Sequence, residues 1–305
     1  MFISNAIDIY LDWKATHATV APSRYAIRLK HLLEFVGNRP LMDITGDDIV
    51  RFHRSLEKAS FKYGKKLKPY SQSTIAYSCI ILKNFFMFWQ GRGESIINPK
   101  EILPIRHVTR LKKVVSYGEY QAMSEILEEG FYDELVKKVV IQLLWDTGMR
   151  ISELCDMNIS DINDVHPQLG IRSATVRTRK TMRYNLVAWS KETNDILNKY
   201  LGMRLCMDDA ETDALFVSGR RKSAKRLCVR TLQRWIEEIA DLAGVTGEIT
   251  PHSFRHGKAH HILNSKGTII DIQAILRHVK PESTYHYIQL NPEQYLERAA
   301  KYLTS

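Results

Sequence analysis

The sequence predicts a mainly α protein of two domains, the second of which contains a small antiparallel sheet. Apolar residues recur at helical spacing through most of the chain, as in YAIRLKHLLEFV and RTLQRWIEEIADLAG. The stretch from Ile171 to Trp189 is instead rich in Thr, Val and aromatic residues, which favour strands. A chain of 305 residues is long enough for two ordinary hydrophobic cores.

The first domain is predicted to be an all-helical bundle over residues 1–105. AIDIYLDW, YAIRLKHLLEFV and STIAYSCIILKNFFMFW have apolar residues at helical spacing, with polar turns between them. One of these turns, FKYGKKLKPYSQS, is dense in lysine. We expect a loop there that is either solvated or in contact with phosphate.

The boundary between the domains is predicted at residues 106–114, and the second domain at residues 115–305. The segment NPKEILPIRHVTRLKK contains two prolines and five Lys or Arg residues and has weak periodicity, which suits an extended linker. Beyond it, DELVKKVVIQLLWD predicts a buried helix that Gly148 ends before ISELCDM resumes helical spacing. Arg150 is therefore expected at a junction between two helices.

The remaining elements of the second domain follow the same patterns. A turn from Lys180 to Arg183 would make TVRTR and NLVAW the arms of a hairpin, and NDILNKYLGMRL and RTLQRWIEEIADLAG then predict helices. Thr250 is expected to cap a helix whose first residue is Pro251. DIQAILRH predicts an amphipathic helix that ends at His278.

Composition bounds the class of protein. The formal net charge of +10 favours nucleic acid over acidic metabolites as a partner. The four cysteines lie far apart and form no CxxC pair, which indicates a reducing compartment rather than a disulfide scaffold or a zinc knuckle. The sequence contains neither a signal-peptide pattern nor an apolar run of membrane-spanning length. We therefore expect a cytoplasmic, nucleoid-associated protein without a membrane partner.

Residues that could carry phosphoryl chemistry cluster towards the C-terminus. His252 and Arg255 share the first turn of the predicted helix, where free backbone N–H groups and the helix dipole favour a phosphate. Tyr287 follows His278 by nine residues. A tyrosine nucleophile needs its phenol held in line with a phosphorus atom, with cations nearby to offset the charge of the transition state.

These motifs together resemble the tyrosine recombinase or phage integrase family, which includes the Xer-type recombinases. The family's motifs occur here as TGMRISEL, as HSFRH followed by LRH, and as TYHYIQL, with RKTMRYNLVAW resembling the hairpin that carries a lysine. The resemblance covers essentially the whole chain. It implies the tyrosine recombinase fold, with a helical SAM-like core-binding domain that closes around duplex DNA and a catalytic domain that follows it.

The resemblance also implies a role for each residue of the site. Arg150 and Arg255 would bind the scissile phosphate, and Lys180 would protonate the leaving 5′ oxygen. Tyr287 would form a 3′-phosphotyrosyl link. The other residues implied are His252 and His278, which would assist by proton transfer and hydrogen bonding, and Glu153, which would orient its neighbours.

The implied reaction is site-specific strand exchange through a Holliday junction, without metal, ATP or other cofactor. PEQYLERAAKYL resembles a terminal helix that docks onto a neighbouring subunit, which implies a homotetramer on two duplexes carrying a specific recombination site. Accessory DNA-bending proteins or a partner recombinase are further partners within the family.

Basic residues outside the catalytic set are candidates for contact with the DNA backbone. They are Lys65, Lys66, Lys68, Lys83, Arg220, Arg221, Lys222, Lys225, Arg226, Arg230 and Arg277. Arg277 stands where the family usually has glycine, and we expect its side chain either to contact phosphate or to face solvent. The residues after the hairpin lysine also lack the usual glycine.

Alternatives remain at several positions. Tyr285 competes with Tyr287, although the spacing from His278 and the position of Thr284 favour Tyr287. Arg179 and Arg183 compete with Lys180. Two rival functions are DNA relaxation of the type IB topoisomerase kind and a non-catalytic DNA-binding accessory role. A more distant rival is a metal-dependent hydrolase, because His252, His256 and His260 are spaced four residues apart. The sequence contains no HExxH motif, which such a zinc site would have.

Overall fold

The computed structural model describes residues 1–17, 22–63, 66–94, 96–102, 113–178, 183–206, 212–218 and 225–278. Contacts between Cα atoms divide the chain into two compact units, Met1–Leu111 and Lys112–Ser305. Helices dominate the described part of each unit, and each contains a two-stranded antiparallel sheet. The predicted mainly α fold class is confirmed.

In the described part of the first unit, four α-helices pack around an aromatic core. Tyr10, Phe52, Phe85 and Phe86 are fully buried there, and the ring of Tyr10 packs edge-on against Phe85 at 5.4 Å between centroids. Thr45 begins the third helix with a reciprocal capping box to Asp48. The helices are α1 (Ile3–His17), α2 (Pro22–Val36), α3 (Gly46–Lys58) and α4 (Gln72–Gln90).

A β-hairpin occupies the lysine-rich segment between α3 and α4. Strand β1 (Ser60–Tyr63) pairs with β2 (Lys66–Pro69), in a register that places Phe61 opposite Lys68. The ring of Phe61 stacks on Tyr70 at 5.2 Å. The prediction of an all-helical first domain is therefore wrong at this segment. The strands are only four residues long and carry lysines in place of β-branched residues, so their sequence resembles that of a polar turn.

The second unit is built around one buried helix. Its elements are α5 (Tyr117–Glu125), α6 (Tyr132–Thr147), α7 (Ile151–Asp156), β3 (Arg172–Thr178), β4 (Arg183–Trp189), α8 (Lys191–Leu205), α9 (Val229–Leu242), α10 (Pro251–Asn264) and α11 (Ile269–Leu276). Helix α6 contributes Val139, Leu143 and Leu144 to the core, all of them fully buried, and it contacts α5, α8, α10 and β4. Nearly every face of α6 is covered, as the apolar pairs of DELVKKVVIQLLWD predict.

The predicted hairpin of the second domain is confirmed. Strands β3 and β4 pair antiparallel from Arg172 opposite Trp189 to Thr178 opposite Arg183. Inward-facing residues such as Val176 and Val187 are buried, and they alternate with exposed ones. The hairpin therefore carries Thr178, the last residue described before its turn, into the interior of the unit.

Among the described helices, none combines the length and the apolar character that crossing a membrane requires.

Candidate active site

The TGMR segment forms a tight turn between α6 and α7. Thr147 Oγ1 accepts a hydrogen bond from the Met149 N–H at 3.1 Å, and Gly148 adopts a left-handed conformation with φ of 54°. A Cβ atom at Gly148 would lie 2.3 Å from Leu276 Cδ2, so glycine is required both for the backbone and for the close approach of α11. The turn places Arg150 directly before the first residue of α7, at the junction between two helices that the sequence predicts.

Arg150 is held by Glu153 one turn along α7. Its backbone N–H donates to Glu153 Oε2 at 3.0 Å, and its Nη1 donates to Glu153 Oε1 at 2.8 Å. The Glu153 side chain is 2% exposed and that of Arg150 is 34% exposed. The carboxylate thus anchors a guanidinium that still reaches solvent.

The same carboxylate collects two further donors from distant parts of the chain. Thr178 Oγ1, at the end of β3, donates to Oε1 at 2.8 Å, and Arg277 Nη2 donates to Oε2 at 3.1 Å. Burial raises the pKa of Glu153, but the hydrogen bond from the Arg150 N–H, the charge of Arg277 and the hydrogen bond from Thr178 lower it on balance. Glu153 is therefore an ionised carboxylate that joins α7, the β3–β4 hairpin and the end of α11.

Arg255 makes a second connection between the same segments. Helix α10 begins at Pro251, and the Thr250 N–H that precedes it donates to Ser253 Oγ at 3.1 Å. Arg255, 4% exposed, donates from Nη1 to the Gly148 carbonyl oxygen at 2.5 Å and from Nη2 to the Leu276 carbonyl oxygen. It therefore fixes the turn before Arg150 against the end of α11.

His278 lies directly after α11, among the basic groups. The helix ends at Leu276, two residues earlier than predicted, because Arg277 adopts the left-handed conformation with φ of 56°. Burial and surrounding positive charge lower the pKa of His278 to about 4. His278 is therefore neutral at physiological pH. The positive groups that contribute are Arg255, Arg150, Arg277 and His256.

Taken together, these residues form a positively charged, partly open site suited to an anion. Arg150, Arg255 and His278 come from three segments that lie far apart in the sequence, and the hydrogen bonds of Glu153 and Arg255 bring those segments together. Within the described residues, no cluster of three or more His, Cys, Asp or Glu is arranged to hold a metal ion.

Residues 113–294 match the phage integrase family. This chain belongs to that family. The match spans every site residue of the second unit from Arg150 to Tyr287, and the resemblance predicted from the TGMRISEL, HSFRH and TYHYIQL motifs is confirmed. This integrase family member is therefore an enzyme of the tyrosine site-specific recombinase class, and its function is site-specific DNA recombination.

Individual relatives agree with the family match. The tyrosine recombinase XerC of Roseiflexus sp. (strain RS-1) is 29% identical over 277 residues, which cover 88% of this chain and 82% of the relative. A crystal structure of the XerH site-specific recombinase bound to a palindromic difH substrate, in a post-cleavage complex, matches with a TM-score of 0.73 at 21% identity, covering 92% of this chain and 79% of that one. A lambda integrase tetramer bound to a Holliday junction matches with a TM-score of 0.69 at 17% identity, covering 94% and 77%. The fold is thus that of the tyrosine recombinases.

The remaining predicted catalytic residues divide into those that the structure describes and those that it does not. His252 lies exposed in the first turn of α10 of this integrase family member. Lys180 and its rival Arg179 lie outside the described residues, although Thr178 and Arg183 on either side are described. Tyr287 and its rival Tyr285 also lie outside them, as does the terminal PEQYLERAAKYL segment.

The predicted DNA-contacting residues have several different environments. Lys68 is exposed on β2, Arg230 is exposed in the first turn of α9, and Lys83 is half-buried on α4. Arg226 Nη1 donates to the carbonyl oxygens of Cys155 at 3.0 Å and Met157 at 2.9 Å. Arg226 therefore holds the end of α7. Lys225 is also exposed, Lys66 lies on β2 with its side chain outside the described atoms, and Lys65, Arg220, Arg221 and Lys222 lie outside the described residues.

Sequence reasoning missed Thr178 and the contact that Arg277 makes. Thr178 was not singled out, although it lies two residues before Lys180 on the buried face of a predicted strand, which was the available signal. Arg277 was expected to contact phosphate or to face solvent. Its side chain is instead 8% exposed and bonded to Glu153, so it does not face solvent.

Proposed function

We propose that this integrase family member cleaves and rejoins duplex DNA at specific sites through a covalent link between Tyr287 and the DNA. The convergence of Arg150, Arg255 and His278 around one site supports this proposal. Two guanidinium groups are suited to bind the non-bridging oxygens of a phosphate, because they present several donors and a fixed positive charge.

In the proposed step, the Tyr287 phenol gives its proton to His278 or His252, its oxygen attacks the phosphorus atom, and the bond from phosphorus to the 5′ oxygen breaks. The product is a 3′-phosphotyrosyl link and a DNA strand with a free 5′-hydroxyl. Arg150 and Arg255 stabilise the additional negative charge of the pentacoordinate transition state. Lys180 supplies the proton that the leaving 5′ oxygen takes up.

His278 and His252 assist in this step. With a pKa lowered to about 4, His278 is neutral at pH 7. A neutral imidazole can donate a hydrogen bond from one ring nitrogen to a phosphate oxygen or accept the phenolic proton at the other. His252, which is exposed in the first turn of α10, would hydrogen-bond the same phosphate.

Rejoining reverses these steps with a different strand. A free 5′-hydroxyl gives its proton to Lys180 and attacks the phosphotyrosyl phosphorus, the bond to Tyr287 breaks, and the phenolic oxygen takes its proton back from the histidine. Because one phosphate diester replaces another of similar energy, the cycle needs no ATP. We propose that the fixed cations of the site provide the electrostatic stabilisation that Mg²⁺ provides in other phosphoryl-transfer enzymes.

Strand exchange between two duplexes requires more than one active site. We propose that four copies of this chain assemble on two duplexes and pass through a Holliday junction. The fold similarity to a lambda integrase tetramer on a Holliday junction and to a XerH complex with its difH substrate supports this assembly. The net charge of +10 is consistent with a large DNA footprint, and the protein would act on DNA in the cytoplasm.

We propose a division of labour between the two parts of the chain. Residues 1–105 would form the core DNA-binding domain, residues 106–114 a linker, and residues 115–305 the catalytic domain with a terminal helix that docks onto a neighbouring subunit. The separation of contacts into the units Met1–Leu111 and Lys112–Ser305 supports a boundary in this region.

A nicked suicide substrate tests the nucleophile, because loss of the short strand after cleavage traps the covalent adduct. The substrate carries the candidate site, and the reactions contain chelator. We expect the wild type and Tyr285→Phe to form the adduct and Tyr287→Phe to form none. An adduct from Tyr287→Phe that is lost in Tyr285→Phe would contradict the assignment. Loss of the wild-type adduct in chelator would contradict a metal-independent step.

A modified leaving group tests Lys180 against its rivals. In a substrate whose 5′-bridging oxygen is replaced by sulfur, the leaving thiolate needs no proton. We expect Lys180→Ala to cleave the normal substrate slowly and the sulfur substrate at nearly the wild-type rate, and Arg179→Ala and Arg183→Ala to show no such rescue. Rescue of an arginine variant instead of Lys180→Ala would move the general acid to that arginine.

Assays of the wild-type protein distinguish the two rival functions from recombination. Relaxation of supercoiled plasmids that lack the site would favour a topoisomerase-like activity. Binding to a site without an adduct on any nicked substrate would favour a non-catalytic accessory protein.

A further inference from the structure

Arg277 differs from the other basic residues of the site because its side chain faces the protein. It is 8% exposed, and its Nη2 donates to Glu153 Oε2 at 3.1 Å. Its Nη1 donates to the carbonyl oxygen of Thr147 at 3.2 Å and to that of Ile275 at 3.0 Å. The guanidinium therefore connects the end of α6, the carboxylate on α7 and the last turn of α11.

The backbone of Arg277 has a conformation that favours glycine. Its φ of 56° lies in the left-handed region, which side chains with a Cβ adopt at a cost in conformational energy. This residue ends α11 and directly precedes His278. A side chain anchored at three acceptors fixes the point at which the chain leaves α11, and so fixes the start of the segment that contains His278.

Arg277 also completes the set of partners around Glu153. Oε1 accepts from Arg150 Nη1 and Thr178 Oγ1, while Oε2 accepts from the Arg150 N–H and Arg277 Nη2. Each carboxylate oxygen thus has two donors, and the carboxylate cannot rotate without losing several of them. Without Arg277, Oε2 would keep a single donor and the orientation of Arg150 would be less restricted.

We infer that Arg277 is a positioning residue of the cleavage reaction, which holds Glu153, and through it Arg150, in a fixed arrangement with His278. The inference rests on the proposed function, since its readout is DNA cleavage. In this role Arg277 does not need to contact DNA, because its effect is transmitted by the hydrogen bonds of Nη1 and Nη2 within the protein.

The test compares Arg277→Gly and Arg277→Lys with the wild type on the nicked suicide substrate at saturating DNA. Glycine accepts the left-handed backbone, so Arg277→Gly removes the guanidinium without adding strain. Lys266→Gly is the matched control, because Lys266 is the other described non-glycine residue with positive φ, at 64°, and its side chain is exposed. It changes the backbone preference without altering a contact to Glu153.

We expect Arg277→Gly to form the covalent adduct about tenfold more slowly or worse, because misplaced catalytic groups lose rate steeply. Its affinity for DNA should stay at the wild-type value. Arg277→Lys should recover part of the rate, since one ammonium replaces only part of the guanidinium contacts. Lys266→Gly should cleave as the wild type does.

A double-mutant cycle separates positioning through Glu153 from a general loss of stability. If Arg277 acts through Glu153, Arg277→Gly combined with Glu153→Gln should slow adduct formation by less than the product of the two single effects. Independent, multiplicative effects would overturn the inference, as would a wild-type rate in Arg277→Gly or a rate loss explained entirely by weaker DNA binding. Absence of an adduct from the wild type would overturn the proposed function as well.

Discussion

Glu153 shows how one buried carboxylate can organise a site made of cations. Its four hydrogen bonds come from a backbone N–H, two arginines and a threonine, which belong to three separate segments. A buried charge is tolerated only where it is paired and hydrogen-bonded, and both conditions hold here. The carboxylate therefore has a structural role as well as a part in orienting Arg150.

Removal of this carboxylate should destabilise the second unit strongly. Glu153→Ala leaves the Arg277 guanidinium, 8% exposed, without its charge partner, and breaking a buried pair in this way costs about 3–5 kcal/mol. Glu238→Ala is the control, because Glu238 is 46% exposed and pairs with Lys137 and Arg234 at the surface, where a pair contributes about 0–1 kcal/mol. Chemical denaturation measures the free energy of unfolding of both variants. Equal losses in the two variants would contradict the account of Glu153.

Residue identities at the site were predictable, but their partners were not. The motifs indicated Arg150, Arg255 and His278 because the spacing and order of the set are specific. Sequence alone could not show that Arg277 reaches Glu153, 124 positions away, because such a contact depends on how α11 packs against the Gly148 turn. The same limit applied to Arg226, which donates to two backbone carbonyl oxygens and to the Asn158 side chain about 70 positions away.

At the scale of elements, the turn between α6 and α7 determines where Arg150 lies. The turn needs a residue that adopts positive φ and has no side chain, because Leu276 of α11 occupies the space where a Cβ would be. Arg255 donates to the carbonyl oxygen of that same glycine. The position of the turn, the end of α11 and the Arg255 side chain are thus coupled.

Gly148→Ala should therefore be destabilising by about 2–3 kcal/mol, since it combines backbone strain with overpacking. Gly202→Ala is the matched control: Gly202 lies within α8, and nothing would contact a Cβ there within 4 Å. Alanine at this helical position should stabilise by up to about 1 kcal/mol. Denaturant unfolding of both variants checks the prediction. If Gly148→Ala left the free energy of unfolding unchanged, α11 would not pack closely on the turn.

The sequence predicted the β3–β4 hairpin but not the β1–β2 hairpin. The strands β3 and β4 are seven residues long and together contain Thr, Val and aromatic residues, whereas β1 and β2 are four residues long and carry lysines. A signal was present in the first hairpin, because Gly64-Lys65 separates two stretches in which apolar residues alternate with lysine. Short strands on a basic surface are easily mistaken for a solvated loop.

Across the whole molecule, histidines with lowered pKa values should make the free energy of unfolding depend on pH. Burial and nearby positive charge lower the pKa of His278 to about 4, and burial also lowers the pKa values of His31, His53, His260 and His261. The unfolded chain binds protons at these groups near pH 6.5, where the folded chain does not. Stability is therefore lost as the pH falls from about 6.5 towards 4.

We expect the melting temperature to fall between pH 7 and pH 5, and the fall to be smaller in His278→Asn than in the wild type. The carboxyl groups with lowered pKa values, such as Glu153 and Asp48, lose their stabilising charge only at lower pH, so they do not contribute in this window. His17→Asn, at an exposed position, is the control. Calorimetry across this range makes the comparison, and a fall in His278→Asn equal to that of the wild type would contradict the assigned environment of His278.

Tyr287 is the residue that we propose becomes covalently joined to DNA. After reaction with the suicide substrate, nuclease and trypsin digestion would leave a short nucleotide on the peptide that follows Arg277, which contains Tyr285, Tyr287 and Tyr295. Fragmentation in a mass spectrometer identifies the modified tyrosine. We expect the nucleotide on Tyr287, joined through its 3′ phosphate. A nucleotide on Tyr285 or Tyr295, or a 5′ linkage, would contradict it.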